Sequence, residues 1–147
     1  MGLVVLLLGI AVSCSTQPTA DSLSGAYHKL AETLGNATIN LEKHHKAANL
    51  LSKGDKEVIP VLIAHLGDQR IFNPNYREIS ETSDADRTVP TRPMTVGEKC
   101  ETLLYVVIYG DIRIPQEARV ADWSKWWEAN KVRTLSEMRE EAKRLRK

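Results

Sequence analysis

Cysteine is scarce in this chain, with two among 147 residues, and so are aromatic residues at 5%, including a single phenylalanine. Two cysteines cannot form the disulfide framework on which small secreted scaffolds rely. Charge of one sign is missing as well: 20 Lys and Arg stand against 19 Asp and Glu, a formal net charge of +1. Such a balance supplies no general field to draw in nucleic acid, and the basic ending KRLRK reads as cations at a helix C-terminus. No Gly-rich phosphate loop, G-x-S-x-G elbow, H-E-x-x-H pair or set of paired catalytic carboxylates occurs. Those absences remove the motif-bearing enzyme classes and leave a binding or scaffold module without a cofactor as the expectation.

What is present begins with an apolar run, MGLVVLLLGIAVS at residues 1–13, which stops at Cys14 and gives way to STQPTADS. A spanning helix needs about 20 apolar residues, so the run is too short to cross a bilayer and has the form of a secretory h-region. The sequence A-V-S-C resembles the lipobox of bacterial lipoproteins. That resemblance implies cleavage before Cys14, acylation of its sulfur and a domain tethered to the membrane by lipid. Ser15 resembles the pattern that sorts such proteins to the outer membrane, facing the periplasm. Residues 14–20 then form the lipidated cysteine and a short polar tether, and residues 21–147 a single domain. A secretory signal with an unlipidated thiol, and a core or anchor segment, are the alternatives for the same run.

The rest is ordinary globular sequence, 42% hydrophobic and 27% charged. Asp21 is placed to cap a helix whose Leu23, Tyr27, Leu30 and Leu34 share a face. A second helix is expected over residues 40–52, with Leu41, His44, Ala48 and Leu51 in one stripe, and a third after the Gly54-Asp55 turn, with Val58, Ile59, Leu62, Ile63 and Leu66. The central element is MTVGEKCETLLYVVIYG. Thr95 and Glu98 form a capping-box pattern, Val96, Cys100, Leu103, Leu104 and Val107 lie on one face, and residues 103–109 are apolar nearly all round. A helix that apolar must have neighbours on more than one side; a strand at LLYVVIY is the alternative. Further helices are expected over residues 116–130, with Val120, Trp123 and Trp127 inward, and after the second capping box of Thr134 and Glu137, with Leu135, Met138, Ala142 and Leu145 buried and Glu140 paired to Arg144.

The stretch LLSKGDKEVIPVLIAHLGDQR reads as two antiparallel helices about a tight turn, and it resembles one unit of a HEAT-type repeat. Followed by TVGEKC and WSKWW, it is similar to a group of poorly characterised bacterial HEAT-like proteins. The resemblance implies an all-α, compact helical-hairpin domain of about five or six helices and carries no catalytic residues. Residues 67–94 are expected to form one long irregular loop, of the length at which loops are commonly functional.

Its Arg70, Asn73, Asn75, Tyr76 and Arg77, with Trp126 of the tryptophan cluster, are the candidate surface for an unknown protein partner, because polar and aromatic residues there need not serve packing. An immunity or inhibitor protein that occludes an envelope toxin or hydrolase is the sharpest form of that reading. The rival is a small enzyme or metal protein using His44, His45, His65 or Cys100. His44 and His45 are adjacent and point about 100° apart on a helix, which is poor ligand geometry. Cys100 falls on an inner face, where cysteine behaves as a small hydrophobe. Convergence of these four around a pocket is what the rival requires; scatter is what the binding reading requires.

Overall fold

The computed structural model describes residues 20–72, 93–112 and 118–145, which form six helices: α1 (Ala20–Leu34), α2 (Leu41–Ser52), α3 (Val58–Ala64), α4 (Val96–Tyr109), α5 (Trp123–Asn130) and α6 (Leu135–Arg144). The class is all-α, and the domain is built around α4. The Thr95 hydroxyl accepts the Glu98 amide at 3.2 Å while the Glu98 carboxylate accepts the Thr95 amide at 2.8 Å, which starts α4 as a helix rather than a strand. Gly110 ends it in the left-handed region at φ 71°, where glycine pays no Cβ penalty. In between, Val96, Cys100, Leu103, Leu104 and Val107 are buried, and so are Tyr105, Ile108 and Tyr109 on other sides. A helix buried nearly all round needs partners on several sides. α1, α2, α3 and α6 all pack on it.

Three sequence expectations change in α1 to α3. The long hairpin is α1 with α2, whereas α2 and α3 are joined by the turn at Gly54 but scarcely touch, because α3 lies instead on α4, α1 and α5. Tyr27 fixes the arrangement, its hydroxyl donating to Asp55 Oδ1 at 3.1 Å and so tying α1 to that turn. Asp21 lies inside α1, not at its cap. Asn40 caps α2 by accepting the Lys43 amide at 3.0 Å; behind it His44, Ala47, Ala48 and Leu51 are buried while Leu41 is not.

The two ends of the long loop are fastened to the start of α4. Phe72 N donates to Met94 O and Val96 N to Arg70 O, both at 2.8 Å, forming one antiparallel bridge between Ile71 and Thr95. Gly97 N donates to Asp68 O at 2.9 Å, so the backbone of residues 66–68 crosses the first turn of α4 in direct contact.

The tryptophan helix begins later than its apolar pattern suggests. Asp122 caps it by accepting the Lys125 amide at 3.0 Å. Just upstream, Val120 N donates to the Tyr105 hydroxyl at 3.2 Å and the Tyr109 hydroxyl donates to Ala118 O at 3.3 Å. Those backbone groups are spent on tertiary bonds to α4, so they do not close a helical turn. α6 opens with the expected capping box of Thr134 and Glu137 and buries Met138 and Ala142. Leu145 is 62% exposed, however, and Glu140 pairs with Lys143 at 2.7 Å in place of Arg144. The exposure of Leu145 has a local cause: α6 ends at Arg144, and Leu145 sits at the cap.

Candidate functional site

A hollow of about 390 Å³ lies between the C-terminal half of α4, the strap at residues 118–122, α5 and α6. Ile108, Met138 and Ala142 line its apolar interior, Trp126 one wall and Leu145 the open lip, with Arg119, Asp122 and Glu141 contributing polar groups. An aromatic series leads to it from the core. The ring of Tyr105 meets Trp123 edge-on at 5.1 Å, and Trp123 meets Trp126 edge-on at 5.6 Å, geometries that hold the half-buried Trp126 in one orientation. Asn130 Nδ2 donates to Trp126 O at 2.8 Å, and Arg133 bridges Asn130 and Glu141 across the gap between α5 and α6. The walls are therefore braced before any ligand arrives. Asp122 is held below the usual carboxylate range by the Lys125 amide that it caps, so it presents a negative charge on the rim at neutral pH.

Of the residues singled out from sequence, Trp126 is the one this cleft contains. Arg70 has another setting at the base of the long loop: its guanidinium meets Asp68 at 2.6 Å and Glu32 at 2.8 Å. The Arg70 hydrogen bonds hold the Asp68 carboxyl below its ordinary range, and the two carboxylates raise Arg70 in turn. Arg70 so joins α1 to the loop base. Asn73, Asn75, Tyr76, Arg77 and Cys14 lie outside the described residues, as does the apolar run of residues 1–13.

The four residues of the enzyme or metal reading occupy four different settings. His44 is fully buried on α2, edge-on to Phe72 at 6.0 Å, with neither ring nitrogen hydrogen-bonded. His45 is exposed beside it. His65 sits with its Nδ1 3.7 Å from Asp68 Oδ2 and its ring 5.7 Å from that of His28. Cys100 is fully buried on α4, and burial pushes its thiol up to about 12, which keeps it protonated and a poor nucleophile. Among the described residues no three His, Cys, Asp or Glu side chains are grouped to hold a metal ion. The start of α4 is equally occupied: the Val96, Gly97 and Glu98 amides all have protein acceptors, so they are not free for an anion.

Sequence reasoning reached Trp126 and missed the rest of the cleft. Tyr105 and Tyr109, at i and i+4 on an apolar helix, were the one local signal that something polar would be strapped there. Arg119, Asp122 and Leu145 gave none, since their roles depend on where α5 and α6 meet α4. Comparison with protein-family models, with curated proteins and with solved structures finds no match to this chain, so its function has to be argued from its own residues.

Proposed function

We propose that the chain is a non-catalytic protein-binding module of the bacterial envelope, tethered by lipid on Cys14 and meeting its partner at the cleft between α4, α5 and α6. The observation that carries this reading is that Trp126 and Leu145 line the same cleft. A braced, half-buried indole and a leucine that is 62% exposed line one hollow of about 390 Å³, with Ile108, Met138 and Ala142 among its apolar groups. Aromatic anchors ringed by polar groups are the usual make-up of binding hot spots, where an inserted apolar side chain is shielded from water. Arg119 and Asp122 on the rim would fix the direction of the inserted segment. An inhibitor or immunity protein that covers an envelope hydrolase or toxin is the most specific form of this function.

The tether argument comes from A-V-S-C and the apolar run before it. Its test is the intact mass of chain recovered from membranes, beside Cys14→Ser: a diacyl or triacyl increment lost in the variant supports tethering, and an unmodified chain still carrying Met1 overturns it. The binding argument is tested separately by placing a photo-crosslinking residue at Leu145. A discrete adduct formed in cells and abolished by Trp126→Ala supports the cleft; adducts that ignore Trp126 would overturn it.

A further inference from the structure

Two histidines that no sequence pattern joins come together where α1 packs on α3. His28 is exposed on α1, and His65 is the C-cap of α3. Their ring centroids lie 5.7 Å apart, with the ring planes tilted by 51°. The His65 end is held in place: its amide donates to Leu62 O at 3.2 Å, its carbonyl accepts the Asp68 amide at 3.0 Å, and its side chain is 12% exposed. Asp68 O in turn accepts the Gly97 amide, so α4 anchors the turn that carries both residues. His65 Nδ1 lies 3.7 Å from Asp68 Oδ2, which leaves Nε2 as the nitrogen for a further partner. Arg70 completes the surroundings. Its guanidinium meets Asp68 at 2.6 Å and Glu32, one turn beyond His28 on α1, at 2.8 Å. A single guanidinium between two carboxylates leaves net negative charge beside the two imidazoles.

We infer that His28 and His65 together bind one imidazole-preferring divalent transition ion, of the class of Zn²⁺, Cu²⁺ and Ni²⁺, which clips α1 to the end of α3. Imidazole nitrogens sit about 2.0–2.1 Å from such an ion, so two of them sharing it bring their ring centroids to about 5–6 Å, the separation found here. A carboxylate at the opposite ring nitrogen is the common support of a ligating histidine, where it fixes the tautomer and raises basicity; Asp68 stands in that place for His65. Arg70 decides the kind of ion. Because it engages both carboxylates, oxygen-seeking Mg²⁺ and Ca²⁺ meet no donor set, whereas nitrogen-preferring ions need only the two rings. Two protein ligands make an open, exchangeable site with water at the remaining positions, short of the clusters of three that are absent among the described residues. An ion that joins α1 to α3 binds the folded chain and not the unfolded one, and so raises stability. None of this depends on the Trp126 cleft or on lipid at Cys14.

The test is calorimetric titration of the full chain with zinc chloride, in a Cys14→Ser background so that the Cys14 thiol cannot compete, beside thermal unfolding in Zn²⁺, Ni²⁺, Mg²⁺ and Ca²⁺. The expected result is one Zn²⁺ per chain, an unfolding midpoint raised by about 5 °C in saturating Zn²⁺, a rise with Ni²⁺ as well, and no shift with Mg²⁺ or Ca²⁺. His28→Ala should weaken Zn²⁺ binding by about tenfold or more and remove the shift, without disturbing the fold, because that side chain is exposed. His65→Gln should do the same, with circular dichroism confirming that the helices persist. His45→Gln leaves the pair intact and should keep both binding and shift. Absence of saturable Zn²⁺ binding would overturn the inference. So would Zn²⁺ binding that survives His28→Ala or disappears with His45→Gln, since either places the ion at other residues, and so would an equal shift with Mg²⁺, which imidazoles do not hold.

Discussion

The carbonyl oxygen of Leu66 lies 2.1 Å from the point where a Cβ on Gly97 would begin. Both partners are backbone, and both are held: Gly97 N is bonded to Asp68 O, and Val96 N to Arg70 O. Gly97→Ala therefore has to separate the loop base from α4, breaking the bonds that join them. We expect a loss of about 2–4 kcal/mol or failure to fold, since overpacking against fixed backbone is at the severe end of single substitutions. Urea unfolding midpoints will check this, with Gly25→Ala as the control, because nothing lies within 4 Å of a Cβ there.

His44 makes stability depend on acid. Its imidazole is fully buried without hydrogen-bond partners, and burial lowers its pKa from the ordinary 6.5. Because the folded value lies below the unfolded one, the unfolded chain binds more protons once pH falls beneath about 6.5, and this stabilising contribution is lost from there downward. Denaturant titrations at pH 7.5 and pH 5 should show a fall for the native chain that is smaller in His44→Leu. An equal fall in both would place the effect elsewhere; the exposed His45→Gln is the matched control.

Cys100 should be inert in the folded protein. In a Cys14→Ser background a small alkylating reagent at pH 8 should leave it unmodified without denaturant and modify it completely in urea, because the thiol is buried and raised to about 12. Rapid labelling of the folded chain would mean that α4 opens locally.

Leu145 and Met138 both line the cleft, and they separate binding from stability. Met138 is 2% exposed, so Met138→Ala should cost about 2–4 kcal/mol as a core truncation. Leu145→Asp, at a largely exposed site, should leave the unfolding midpoint within about 0.5 kcal/mol of the native one while abolishing partner capture. Calorimetry for the first and crosslinking through a probe at Arg119 for the second give the two readings.

Local chemistry was legible from residues alone wherever it was complete within a turn or two. Thr95 with Glu98, Thr134 with Glu137, Gly110 as terminator and the apolar face of α4 lie where their sequence pattern puts them, because a cap or a stripe depends on neighbours three or four residues away; α3 ends at Ala64, which leaves Leu66 of its expected stripe past the helix and only partly buried. The burial of Cys100 and His44 follows from the same periodicity.

Tertiary structure decided everything that required distant groups to meet. α5 starts only at Trp123, after its Asp122 cap, while Tyr105 and Tyr109 take backbone groups of residues 118 and 120, and Leu145 is exposed because α6 ends before it. The pairing of α1 with α2 in place of α2 with α3 and the chelation of Arg70 by Asp68 and Glu32 are of the same kind. A periodic pattern states which side of a helix must be buried; it contains no term for which other helix buries it.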